Sequence, residues 1–169
     1  AGVSINDAAF GNGNGQTTNT ISASALSAIG GKTTGTVTVD NAVKIVGSQA
    51  QVTGALVTTN TLVAAGTAVV SINDAAFGDG NNGTTTNTIS ASALSEIGGK
   101  TTGTVTVDNA VKIVGSTTQL TAALVTTNTL VSAGTALVTV NDAAFGDGNN
   151  NTTTNTINAS VLSEIGGKT

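Results

Sequence analysis

Valine alternates with threonine from Thr104 to Val107, the run breaks at Asp108-Asn109, and Val111, Ile113 and Val114 follow before Gly115-Ser116. Alternation at period two predicts a half-buried strand, Asp-Asn a turn, and Val-Lys-Ile-Val a second short strand. Almost the same letters, Thr36 to Ser48, stand 68 residues earlier. Elsewhere the pattern predicts strands over Val3 to Asn6, Val69 to Asn73 and Leu137 to Asn141, each closing in an Asn-Asp turn. A second strand is expected after each Gly-Asn loop, at Thr18 to Ile21, Thr86 to Ile89 and Thr154 to Ile157. One or two helical turns follow at Ser24 to Ile29, Ser92 to Ile97 and Ser160 to Ile165, with Ser as N-cap and Gly-Gly-Lys as stop. Ser116 and Gln119 have capping-box spacing ahead of Leu120, Ala123 and Leu124, and that helix is expected to run to about Val125 or Leu130.

These elements repeat. Ile21 to Ile72 aligns with Ile89 to Val140 at an offset of 68, and a third copy starts at Ile157 and stops at Thr169. The loop after Phe10 is one residue shorter than its counterparts, a change that leaves the flanking strands in phase. Val105 to Ala110 also resembles Val138 to Ala143, so each repeat is two half-repeats of about 34 residues. The division expected is 1–34, 35–66, 67–102, 103–134 and 135–169, of two alternating kinds, beginning and ending on the same kind. Such a chain reads as a window on a longer array. The fold class it predicts is mainly β: a single β-solenoid of five coils with short helical turns, stacking Val39, Ile72, Val107 and Val140 in one ladder. A sandwich of 68-residue domains fits less well, because it would strand an incomplete domain.

Composition sharpens the picture. The chain has no Pro, Cys, Met, Trp, Tyr or His, its aromatics are three Phe, and charged residues make up 8% against about 25% in an ordinary domain. A thin core of Val, Ile, Leu and Ala layers suits this alphabet. Net charge is -4 and the pI is near 4.3, so with no basic patch or stacking aromatics nucleic acid is not an expected partner. No apolar run approaches the roughly 18 residues of a membrane span. Without His or Cys, and with no acid pair recurring beside a nucleophile, enzymatic chemistry is not expected.

What candidate chemistry there is lies in loops and edges. The loops 11–15, 78–83 and 146–151 are rich in Gly and Asn, and Asp74, Asp79, Asp142 and Asp147 offer the oxygen ligands that calcium prefers; a plain polar turn is the competing reading. No other cofactor is implied. Asp40 with Lys44 and Asp108 with Lys112 recur as pairs and read as a solvated ladder. Thr36-Val37-Thr38 and Thr104-Val105-Thr106 have the spacing of ice-binding triplets, and Asn82, Asn151 and Asn158 sit in N-glycosylation acceptors. Open strand and helix edges at Val3, Ile5, Val161, Leu162 and Ile165 are candidate self-assembly surfaces, through which copies of the chain would join head to tail.

The run Ile89 to Gly99 (ISASALSEIGG), then Thr104 to Leu124 (TVTVDNAVKIVGSTTQLTAAL), resembles repeats of very large bacterial surface proteins, the adhesin-like and haemolysin-type calcium-binding proteins of cyanobacteria and proteobacteria. The shared features are the Val/Thr strand ending in Asp-Asn, the Gly-Ser before a Leu-Ala-Ala-Leu helix, and the Ser-Ala-x-x-Leu turn. The resemblance implies a secreted, extracellular or cell-surface structural role; the calcium-binding nonapeptide of those proteins is absent here. The expectation is therefore a structural repeat protein forming a surface fibre, sheath or adhesin stalk. The alternative is a binding module whose Asn/Gly/Thr loops take calcium, glycan or ice.

Overall fold

The computed structural model describes residues 1–129 and 131–169. The first unit comprises β1 (Val3–Ile5), β2 (Thr20–Ser22) and α1 (Ala23–Gly30). The second holds β3 (Val37–Val39), β4 (Lys44–Gly47), α2 (Gln49–Leu56), a 3₁₀ turn at Thr59–Thr61 and β5 (Val63–Ala64). The third and fourth repeat this order with β6 (Val69–Ile72), β7 (Ile89–Ser90), α3 (Ala91–Gly98), β8 (Val105–Val107), β9 (Lys112–Gly115), α4 (Thr117–Leu124), a 3₁₀ turn at Thr127–Thr129 and β10 (Val131–Ser132). The fifth has β11 (Leu137–Val140), a short parallel pair of β12 (Ala144–Phe145) with β13 (Thr152–Thr153), and α5 (Ala159–Gly166).

Local chemistry sets the helix ends. Ser48 and Ser116 close capping boxes, each accepting from the N–H of the Gln three residues on while that Gln side chain accepts from the Ser N–H. The other three helices are capped two residues earlier than Ser24, Ser92 and Ser160. Ser22 and Ser90 hold the cap position without a side-chain cap bond, and Asn158 accepts from the Ser160 N–H. Helix α4 ends at Leu124 with Val125 as its cap residue, at the nearer of the two expected limits; the other, Leu130, lies outside the described residues.

All strand pairing is parallel among the described residues, and parallel neighbours need crossover connections, which the helices supply. A five-stranded sheet runs β10-β8-β6-β4-β2, flanked by sheets β1-β3-β5 and β11-β9-β7. In the larger sheet Ile21, Ile45, Val70, Val105 and Val131 stand side by side in one row. The five helices pack consecutively, α1 on α2 through to α4 on α5, against the strands. Between the two lies one thin core of Val, Ile, Leu and Ala, with Leu26, Leu56, Leu94, Leu120 and Leu124 fully buried from the helix side.

Two expectations are corrected. The fold is α/β, with 27% helix and 25% strand, and not a mainly-β solenoid. The Ala- and Leu-bearing stretches form a two-turn helix of eight residues in every unit, so helix matches strand in extent. Nor do Val39, Ile72, Val107 and Val140 form one ladder. Ile72 pairs with Val107, but Val39 pairs with Ile5 in a different sheet, and Val140 pairs with Gly115. The cause is the Asp-Asn turn, which sends the two strands of a unit into different sheets. The five-stranded sheet thus joins the second strands of one repeat (β2, β4) to the first strands of the next (β6, β8), with β10 at its edge.

The third copy of Thr-Asn-Thr-Ile makes no strand. Residues 18–21 and 86–89 have the same letters as 154–157, yet only the first two contribute β2 and β7. Those strands exist because β4 and β9 pair with them. A lone extended segment with no neighbour has no ladder to satisfy its backbone.

Candidate functional site

The chemistry-bearing side chains gather at the joints between units. At the joint of third and fourth units, the Ser71 hydroxyl donates to the Asp108 carboxylate, and Asn109 Nδ2 donates to the Asp74 carbonyl at 2.6 Å. The Phe77 N–H donates to the Ala110 carbonyl at 2.9 Å, and Lys112 Nζ lies 5.0 Å from the centre of the Phe77 ring. The first joint repeats the set: Ser4 with Asp40, Asn41 with the Asp7 carbonyl at 2.7 Å, Phe10 N–H with Ala42, and Lys44 at 5.3 Å over Phe10. An ammonium over an exposed or half-exposed ring contributes about 0.5–1 kcal/mol. Asp and Lys of each pair thus reach different partners in the preceding unit and do not ladder with each other.

The sequence reading missed these contacts. A signal existed, because aligning the half-repeats sets Phe10 and Phe77 at the positions of Lys44 and Lys112. Only the packing of one kind of unit on the other brings ring and ammonium together.

The four candidate calcium ligands divide into two roles. Asp74 and Asp142 accept from the first N–H groups of α2 and α4: Gln49 N–H to Asp74 at 2.6 Å, Thr117 N–H to Asp142 at 2.7 Å. A carboxylate there complements the positive end of the helix dipole. Asp79 and Asp147 close their own loops. Asp79 accepts from the N–H and the side-chain amide of Asn81, both at 3.0 Å, and Asp147 accepts likewise from Asn149 at 3.0 and 3.1 Å. The side-chain amide and N–H of Asn81 hold the Asp79 carboxyl below its usual range; for Asp147 the Asn149 N–H leads. Asn82, Asn150 and Asn151 take positive φ in these loops, a conformation Asn tolerates better than most residues. Among the described residues no three acidic side chains converge as a metal site.

Of the edge residues, Val3 and Ile5 lie half-buried on β1, the outermost strand of its sheet. Val161 packs partly against the core and Leu162 is exposed. Ile165 is only 3% exposed, packed in the core, and is not available as an assembly edge. Two equivalent polar grooves recur on the surface, of about 540 Å³ beside Gly98–Gly103 and about 460 Å³ beside Gly30–Gly35. Each has one Lys and no acid or nucleophile beyond Thr hydroxyls, so neither assembles a catalytic set.

The last unit shows what a joint looks like from one side. Phe145 is 72% exposed, Ile157 43% and Leu162 41%, whereas their repeat counterparts Ile89 and Leu94 are 4% and 0%. No helix among the described residues is long and apolar enough to cross a membrane. No protein-family model matches the chain, and no curated protein or solved structure is significantly similar to it.

Proposed function

We propose that the chain is a structural repeat scaffold, a passive spacer built by stacking α/β units, and not an enzyme. The observation that supports it is where the polar chemistry goes. Asp40, Asp108, Asp74, Asp142, Lys44 and Lys112 all act at joints or helix ends, holding one unit to the next. The sequence resemblance suggests an extracellular setting, as part of a surface fibre or stalk.

Force spectroscopy tests the reading. A scaffold whose units share sheets should unfold under load in steps that each release one or more whole units, in order from an end. Calorimetric titration with calcium should show no site, since protein donors already occupy the four candidate carboxylates. A heat of calcium binding at micromolar metal, lost in Asp79→Asn with Asp147→Asn, would replace the spacer with the binding-module reading.

A further inference from the structure

We propose that Asn14, at the tip of the first glycine loop, is a site of self-modification. In the folded chain it loses its side-chain amide to the Gly15 nitrogen and becomes aspartate and isoaspartate. The same pair at Asn82-Gly83 is held closed against this reaction by Asp79 and Thr84. The chemistry depends on the two loops alone and not on the scaffold role.

Each loop tip is a tight turn with both central residues left-handed. Asn14 has φ 56° and Gly15 φ 85°; Asn82 has φ 50° and Gly83 φ 79°. Positive φ at both positions makes a type I′ turn, in which ψ of the first central residue is about +30°. That ψ sets the following nitrogen anti to the residue's own Cβ, so nitrogen and side chain cannot meet while the turn is closed. Asn14 and Asn82 are both exposed, and nothing lies within 4 Å of where a Cβ would stand on Gly15 or Gly83. Once the turn opens, the glycine nitrogen is unhindered in both loops.

What differs is how the turns are closed. The first tip is closed by the Gln16 N–H to the Gly13 carbonyl at 3.2 Å, and among the described residues no side chain of 11–16 adds to it. The second has the equivalent bond, Thr84 N–H to the Asn81 carbonyl at 3.0 Å. The Thr84 hydroxyl also donates to that carbonyl at 2.7 Å and accepts from the Gly80 N–H at 3.2 Å. Asp79 then holds Asn81 by its N–H and its side-chain amide. The first loop has Asn12, Gly13 and Gln16 in these places and cannot build that clamp. Both loops hang on the following unit by the same bond, Phe10 N–H to Ala42 and Phe77 N–H to Ala110, each at 2.9 Å. The difference therefore lies within the loops. Local opening, the step that exposes the reactive geometry, is easier in the first.

The reaction uses only water and base. Base removes the Gly15 amide proton, the nitrogen attacks Asn14 Cγ, and a C–N bond forms as the Cγ–Nδ2 bond breaks. The side-chain nitrogen leaves as ammonia, closing a five-membered succinimide. Water then adds to one of its two carbonyl carbons and breaks that carbon's bond to the Gly15 nitrogen. Opening at the former side-chain carbonyl gives aspartate; opening at the backbone carbonyl gives isoaspartate. One water enters, one ammonia leaves, nothing is oxidised, and the loop gains one negative charge. Isoaspartate also adds a methylene to the main chain, so the turn cannot reclose as before.

The test holds the full chain at mildly alkaline pH, where Asp79 is ionised. Samples are digested at the lysines, which puts Asn14 and Asn82 on different fragments. Mass spectrometry with electron-based fragmentation places each amide loss on a residue and separates isoaspartate from aspartate, so Asn12-Gly13 is scored apart from Asn14. Asn14 should convert about fivefold faster than Asn82, the worth of one net hydrogen bond in keeping the second turn closed. In urea-unfolded chain the two should convert at similar rates. Asn150, followed by Asn151 and not by Gly, should stay unconverted in the native chain. Asp79→Ala and, separately, Thr84→Val should raise the Asn82 rate towards that of Asn14 and leave Asn14 unchanged. No conversion of Asn14 in the native chain, or equal native rates at Asn14 and Asn82, overturns the proposal. So does a rate difference that persists in urea, or an Asn82 rate that neither substitution moves.

Discussion

Gly98 is required because another backbone lies against it. A Cβ there would fall 2.2 Å from the Thr129 carbonyl oxygen, and at Gly30 2.2 Å from that of Thr61. Gly166 ends α5 in the same Ser-Glu-Ile-Gly-Gly-Lys context, yet nothing lies within 4 Å of its Cβ position. Gly98→Ala should therefore destabilise by about 2–3 kcal/mol through overpacking. Gly166→Ala should be neutral or stabilise by up to about 1 kcal/mol, since a helical Gly gives way to the best helix former. Urea unfolding of the two variants separates them; equal effects would mean the glycines serve the helix stop and not the packing. Thr121 carries the one buried side-chain oxygen without a partner among the described residues. Its counterpart Thr53 accepts from Gln49 Nε2 at 2.8 Å, but the second repeat has Thr117 in place of that Gln, and Thr117 turns its hydroxyl to Asp142. Thr121→Val should stabilise by about 1 kcal/mol, while Thr53→Val, which orphans a donor, should not. A melting temperature that falls in both variants would contradict this.

Asp79 and Asp147 give their loops a pH dependence the first repeat lacks. Both carboxyls titrate below their ordinary value because the Asn two residues on donates to the ionised form. The loop closure they provide is complete above the ordinary Asp range and is lost as pH falls through the lowered value. The first loop has Asn12 at this place. NMR shifts of the Asn81 and Asn149 amides should thus show an acid midpoint below that of free Asp, with no such midpoint for Asn14; coincident midpoints would remove the claim. Asp142 acts on a different element. Asp142→Ala should cost about 1 kcal/mol by freeing the first N–H of α4, and should leave α2, capped by Asp74, unchanged. Loss of amide protection in both helices would show the effect is not local.

How much of this was legible follows from how local each signal is. The Ser116–Gln119 box is settled by three residues of helix and was readable. The allocation of β3 and β4 to different sheets was not, because it depends on which strand lies alongside after the Asp-Asn turn. The Asn41 and Asn109 side chains fix that turn by bonding a carbonyl of the preceding unit, a partner some 35 residues away. Residues 154–157 make the same point from the other side. Their letters predict a strand as firmly as those of 86–89, and only the neighbour decides. The helices were underestimated because Ser24, Ser92 and Ser160 read as caps, whereas the helices begin before them at Ala23, Ala91 and Ala159.

The molecule as a whole is a line of interfaces, so its stability is a sum over neighbours rather than a property of one centre. Units with a neighbour on both sides share β-sheets on both edges and cover both faces of their helix. The first and last units do so on one side only, and the exposure of Ile29 beside the burial of its counterpart Ile97 shows the cost at the leading end too. Local opening should therefore be easiest at the two ends and hardest along the five-stranded sheet. Native-state amide exchange should rank Ile45, Val70 and Val105 slowest and Val3 and Ile157 fastest. The slow set should exchange only through a subglobal event that already includes α5. Ile157 carries the sharpest version of the argument, because the three residues before it match those before Ile89. If the two amides exchange at the same rate, sequence and not the adjoining strand sets protection, and the neighbour-sum account of this fold fails at the residue where it is most exposed.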